Sequence, residues 1–230
     1  MHHALIIVEI QRIICGYLDP WVDDHRGDRV ESSKSLAALA VTCRAFSDAA
    51  LDALWCTQES LGPLLLCLPP KLVRSVRQLG RKEISLTATP TNDDWTWVAT
   101  YARRIRNLNL NNIGDKNRTV DPLFRFMVDT DAFEKLQKMD ILATLLPSLQ
   151  NLGYGLIYPP WVSRPPEGAL CAEFLVRGLR EFKIMACGEY LDQSGLFNEY
   201  LGAISTNCPD LQSLAMAEQK WRKNGLAYHY

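Results

Sequence analysis

The sequence predicts an α+β chain in which a three-helix unit, residues 4–58, precedes an irregular α/β repeat solenoid with a short parallel sheet, residues 59–230. Three observations carry this expectation. Before Trp55, apolar residues recur at helical spacing in three successive blocks. Beyond it, Pro147-Ser148-Leu149-Gln150-Asn151-Leu152 and Pro209-Asp210-Leu211-Gln212-Ser213-Leu214 write one pattern twice, with Pro, Leu, Gln and Leu in the same places. Between the two copies, Leu179, Phe182 and Ile184 repeat an L-x-x-L-x-L spacing, at offsets of 30 and 32 positions from Leu149 and Leu211.

The first helix is expected over about 5–18, where Ile6, Ile10, Ile13, Ile14 and Tyr17 fall on one stripe; Asp19-Pro20 ends it. Trp21 to Lys34 is polar and charged and reads as part of an exposed loop over 19–35. Leu36, Leu39, Ala40 and Cys43 then define a helix over 36–44. Phe46, Ala50, Leu51, Leu54 and Trp55 define another over 47–56, with Ser47 as its N-cap and Asp48 in the first turn, where the helix dipole favours a carboxylate.

In the second unit, Ile105, Leu108 and Leu110 give an earlier copy of the strand pattern, and Ile84 with Leu86 one before that, so that a strand recurs about every 24 to 44 residues. Helices fill the intervals. Thr91 or Asn92 caps one that opens with Asp93 and Asp94 and turns Trp97, Val98, Tyr101 and Ala102 inward; Asp121-Pro122 opens another; Ser194 to Asn207 forms a third. Strand, helix and strand with short connections build a parallel sheet with one face covered. Only the copy at Leu179 has Cys or Asn at the ninth position, Cys187, against Ile113, Ile157 and Gln219 in the others. An irregular solenoid without a turn-stabilising Asn ladder is therefore expected.

Composition narrows the function. A formal net charge of -1 gives no overall drive toward nucleic acid or an anionic membrane. Glu9 and Gln11-Arg12 interrupt the apolar Ala4 to Val8 too early for a signal peptide, and no apolar run approaches the ~20 residues that cross a bilayer. The seven cysteines form no C-x-x-C pair and no zinc-type spacing with histidine. They read as reduced, buried small hydrophobes, which favours cytoplasm or nucleus.

Enzymatic constellations are poorly supplied. His2, His3, His25 and His229 lie at the termini or in the polar loop, away from the apolar scaffold that positions a general base. Phosphate-loop, dinucleotide and H-E-x-x-H motifs are absent, and no cofactor or metal is expected. Asp93 and Asp94 are accounted for by helix capping. Lys71, Arg74, Arg77, Arg81 and Lys82 read as a solvated helix face, with an acidic protein or nucleic acid as the functional alternative. A hydrolase using Cys171 or Cys187 would need a depressed thiol pKa.

The blocks Ile7-Val8-Glu9-Ile10, Ile13-Ile14, Leu18, then Ser35 to Phe46 and Ala50 to Trp55, resemble an F-box, in the form common in basidiomycete fungal proteins. That pattern usually has Pro where Val8 stands and often Leu where Gln11 stands. The resemblance continues through Ser60 to Pro69 and Asp94 to Leu110, in proteins whose F-box is followed by irregular leucine-rich repeats. It implies a non-catalytic substrate-recognition subunit of an SCF-type ubiquitin ligase, whose F-box docks on a Skp-family adaptor, and hence a cullin complex, while the repeats hold a target protein. The implied adaptor-binding residues are Ile7, Ile10, Ile13, Ile14, Leu36, Leu39, Cys43, Phe46, Leu54 and Trp55. Trp161, between two proline pairs, is either a target anchor or filler beneath the repeat. An interaction scaffold that has lost Skp binding is the alternative, to which Val8 and an expected truncated end both point. Such proteins usually carry more repeats, so a truncated chain is expected, with Trp221, Tyr228 and Tyr230 left to cover the end.

Overall fold

The computed structural model describes residues 7–19, 29–78, 81–110, 126–139, 141–156, 174–187 and 196–219. The chain divides into two units, Met1–Thr57 and Gln58–Tyr230, and its class is α+β with a short parallel sheet.

The first unit holds α1 (Val8–Tyr17), α2 (Arg29–Thr42) and α3 (Ser47–Cys56), and α3 packs against both of the others. Cys15, Leu36, Phe46, Ala49 and Ala50 form its core, with Ile14, Leu18, Leu39, Ala40, Cys43 and Leu54 packed around them. The loop expected over 19–35 is corrected in its second part, because α2 begins at Arg29. The turns before Leu36 contain no strongly apolar stripe, yet Arg, Glu and Lys are good helix formers and need no buried face to extend a helix that Leu36 and Leu39 anchor.

Two sheets are formed among the described residues. The larger has the order β1 (Thr57–Gln58), β4 (Asn107–Leu110), β6 (Asn151–Leu156), β7 (Glu181–Cys187) and β8 (Ser213–Gln219), and the last four are parallel. Register follows the repeated sequence pattern: Leu108, Leu152, Phe182 and Leu214 are successive partners, as are Leu110, Tyr154, Ile184 and Met216. Alternation along a strand sends Leu108, Leu110, Leu152, Tyr154, Phe182 and Ile184 into the core. One device recurs at the entries of β6, β7 and β8. The carbonyl of Arg106 accepts from the amides of Gln150 and Asn151, that of Gln150 from Arg180 and Glu181, and that of Arg180 from Gln212 and Ser213.

The smaller sheet has the order β2 (Val73–Gln78), β3 (Arg81–Leu86) and β5 (Phe126–Val128), with β2 antiparallel and β5 parallel to β3. Two expectations are corrected here. Ile84 and Leu86 belong to this separate sheet, and Arg74, Arg77, Arg81 and Lys82 are on a strand pair instead of a helix face, while Lys71 lies in a short 3-10 turn, Pro70–Leu72, just before it. Val73 and Val76 favour a strand, and pairing with β3 overrides the three-to-four-residue spacing of the cations, which mimics a helix.

Among the described residues the second unit also has the α-helices α4 (Gly62–Leu65), α5 (Asn92–Ala102), α6 (Thr130–Lys138), α7 (Leu142–Leu145) and α8 (Leu196–Asn207). Gly62 sits where α4 meets the small sheet: a Cβ there would lie 2.6 Å from the Phe126 Cβ and 3.0 Å from the Ile84 Cδ1. Gly202, within α8, has no such neighbour within 4 Å. Gly62→Ala is therefore expected to cost about 1–3 kcal/mol by overpacking, and Gly202→Ala to add up to ~1 kcal/mol by helix propensity, read as opposite shifts of the urea midpoint.

At the start of α5 the Thr91 amide and hydroxyl both donate to Asp94 Oδ2 at 2.7 Å, which holds the Asp94 carboxyl below the usual range; Lys71 adds a smaller effect in the same direction. A depressed folded-state pKa stabilises the fold above the unfolded value of about 3.9, and the gain disappears as pH falls through the folded value. The urea midpoint of Asp94→Asn is expected to lie below that of the wild type at pH 7 and to converge with it as the carboxyl protonates in acid. The inward face of this helix is also corrected: Trp95, Val98 and Ala102 are buried, while Trp97 is 62% exposed and meets Tyr101 edge-on at 5.8 Å. Trp95 and Trp97 are about 200° apart around the helix, so one of them must leave the core.

The expected helix at Asp121-Pro122, the ninth-position residues Ile113 and Ile157, and the tail residues Trp221, Tyr228 and Tyr230 lie outside the described residues.

Candidate functional site

Among the described residues, the first helix has apolar surface that the rest of its unit leaves uncovered. Gln11 and Cys15 are buried, and Ile14 and Leu18 pack beside them. Ile10, Ile13 and Tyr17 follow one another at i, i+3 and i+7 on a different face; Ile10 is half-buried, Ile13 is 59% exposed and Tyr17 is 86% exposed. Ile7 and Val8, at the helix entry, are also exposed. On α2, Val41 is 84% exposed, turned away from the side that carries Leu36 and Cys43, and its neighbours Ala37 and Ala38 are exposed with it. Contiguous exposed apolar side chains of this kind mark interaction surfaces more often than scattered single ones do.

Of the ten residues expected to meet an adaptor, Ile7 and Ile13 are exposed, and Ile10 and Trp55 are half-buried. Ile14, Leu39, Cys43 and Leu54 lie against the core with part of their surface open. Leu36 and Phe46 are corrected: at 0% and 6% exposure they are core residues that hold the helices together and have no surface to offer a partner. Val8, Tyr17 and Val41 were missed. For Tyr17 the signal was present, since it shares a stripe with Ile10 and Ile13; Val41 falls off the apolar face of its helix, and only its exposure singles it out.

A second surface is the face of the large sheet opposite the buried leucines. Its first row is Asn107, Asn151, Glu181 and Ser213, and its second is Asn109, Gly153, Lys183 and Ala215. Asn151 Nδ2 donates to Asn107 Oδ1 at 2.6 Å, a side-chain pair on the third position of the repeat pattern where sequence reasoning looked only at the ninth. Asn109 Oδ1 is buried and has no hydrogen-bond partner among the described residues; a Cβ at Gly153 would come within 2.9 Å of it. Glycine therefore makes room for Asn109, and the row stays shallow.

The residues considered for chemistry do not assemble. Cys171 and the four histidines lie outside the described residues, as does Trp161. Cys187 ends β7, and its side chain lies outside them too. Elsewhere, burial raises the thiols of Cys15 and Cys67 and pushes that of Cys208 up to about 11, the reverse of thiolate activation. An open groove of about 470 Å³ touches Leu175, Arg177, Thr206 and Pro209. Its Thr206 hydroxyl donates to the carbonyl of Gly202, within its own helix. Among the described residues no three His, Cys, Asp or Glu side chains gather to hold a metal, and no helix is long and apolar enough to cross a membrane.

No family model, no curated protein and no solved structure matches this chain.

Proposed function

We propose that the chain is a non-catalytic substrate-recognition subunit of an SCF-type ubiquitin ligase. In this reading the first unit is an F-box that docks on a Skp-family adaptor, and through it on a cullin complex, working in cytoplasm or nucleus. The second unit is an irregular leucine-rich-repeat array that presents its open sheet face to a target protein. The observation that carries the reading is the exposed apolar stripe of α1, Ile13 and Tyr17 with Ile10, on a helix whose buried side already contributes Cys15 to the core. The described helices of the unit leave this stripe open, and a helical adaptor surface would cover it. The in-register rows through Leu108, Leu152, Phe182 and Leu214 support the repeat reading.

Co-expression with a fungal Skp subunit, followed by affinity capture and size-exclusion chromatography, tests the proposal. A one-to-one complex that persists at about micromolar concentration is expected, as for a transient regulatory interface. If no complex forms, the adaptor reading falls and an interaction scaffold without adaptor binding takes its place. That second reading draws on Val8, exposed where the F-box pattern carries Pro, and on Gln11, a buried polar residue where the pattern often carries Leu.

A further inference from the structure

The outer strand of the small sheet combines three properties. First, β2 is an edge strand, paired with β3 on one side only among the described residues. Second, Arg74, Ser75, Val76 and Arg77 are all exposed, so both faces of this stretch are open, and the exposed residues include the β-branched Val76 at 44%. Third, the exposed charge is cationic. Arg77 stands opposite Lys82 in the antiparallel register, two like charges side by side, an arrangement that disfavours the pairing. Among the described residues no ion pair joins Arg74, Arg77 or Lys82 to a carboxylate.

We propose that the free edge of β2 accepts an acidic, extended segment of a partner protein as an added strand. Backbone hydrogen bonds along the edge would set its register, and carboxylates meeting Arg77 and Arg74 would set its choice. Alternation fixes the spacing. Arg77 and Arg74 are three residues apart and therefore project from opposite faces, while Val76 shares the face of Arg74. In antiparallel order the incoming segment places an acidic residue at Arg77, an apolar one at Val76, any residue at Ser75 and a second acidic residue at Arg74. The first carboxylate also relieves the repulsion between Arg77 and Lys82. Nucleic acid fits less well, because neither β2 nor β3 carries an aromatic side chain on which a base could stack. The inference goes beyond the adaptor reading and does not depend on it, since the edge belongs to the second unit and the test contains no adaptor.

The experiment is fluorescence anisotropy of the full chain with a labelled decapeptide whose centre reads Glu-Val-Thr-Glu. Saturable binding that weakens as salt rises is expected. Arg74→Glu combined with Arg77→Glu is expected to weaken it about tenfold or more, and the neutral pair Arg74→Gln with Arg77→Gln to weaken it in the same direction. Proline in place of the peptide's Val or of its Thr removes a backbone donor, and one of the two must face the edge, so at least one proline peptide should lose binding. Arg77→Glu puts opposite charges across from each other at Lys82, so the hairpin is retained, which circular dichroism checks. The proposal is overturned by an absence of saturable binding, by equal binding of the parent and both proline peptides, or by tighter binding of a single-stranded DNA 12-mer than of the peptide.

Discussion

Ile13→Asp combined with Tyr17→Asp is expected to abolish capture of the chain by a Skp-family adaptor while leaving its unfolding midpoint close to that of the wild type. Both side chains are mostly exposed, so their loss removes little packing, and surface changes of this kind shift stability by about 0.5 kcal/mol or less. At an interface the same residues are apolar anchors, each worth about 2 kcal/mol or more, and a buried carboxylate adds a desolvation penalty. Together these weaken binding by more than about a hundredfold. Leu36→Ala provides the contrast. It empties a fully buried position and is expected to cost about 2–5 kcal/mol, so any loss of binding would follow from loss of the folded unit. Capture assays and urea melts on the same preparations separate the two cases. Undiminished capture of the double variant would remove α1 from the interface.

Phe182→Ala is expected to destabilise the second unit by about 3–5 kcal/mol, a large share of the 5–15 kcal/mol that holds a typical domain together. Phe182 is 2% exposed at the centre of the parallel sheet, between Leu152 and Leu214 in register. Truncation leaves a cavity bounded by two neighbouring strands, which backbone hydrogen bonds prevent from collapsing inward. The adjacent Lys183→Ala, on the exposed face, is expected to leave the midpoint nearly unchanged. A urea titration of the pair checks both the magnitude and the alternation of faces along β7.

The parts of the fold written in local periodicity were legible in the sequence. Leu149 with Leu152, Leu179 with Phe182, and Leu211 with Leu214 recur in one frame, and a frame repeated in sequence becomes a register in space. Helix ends with specific chemistry were legible as well: Thr91 or Asn92 followed by Asp93 and Asp94 predicts the start of α5, and the structure resolves the choice to Thr91 through its local hydrogen bonds with Asp94. The missed features depend on distant partners. The cations of β2 read as helical until Ile84 and its neighbours supply a strand to pair with. Trp97 gives way to Trp95 because a helix turns only one of two residues about 200° apart into the core. For the candidate surface, apolar spacing identified the residues of α1 and α2 but not which of them the core would claim; Leu36 and Ile13 look alike in sequence, and only packing separates them.

The shared carbonyls of Arg106, Gln150 and Arg180 give the second unit a simple assembly logic. Strands β6, β7 and β8 are each fastened at the entry to the strand before them in the row, so order propagates as a chain reaction between neighbours. Cooperativity then falls with distance along the row. A weak link near β8 would fray that end and leave β4 and β6 zipped, whereas a weak link at β7 would cut the row in two.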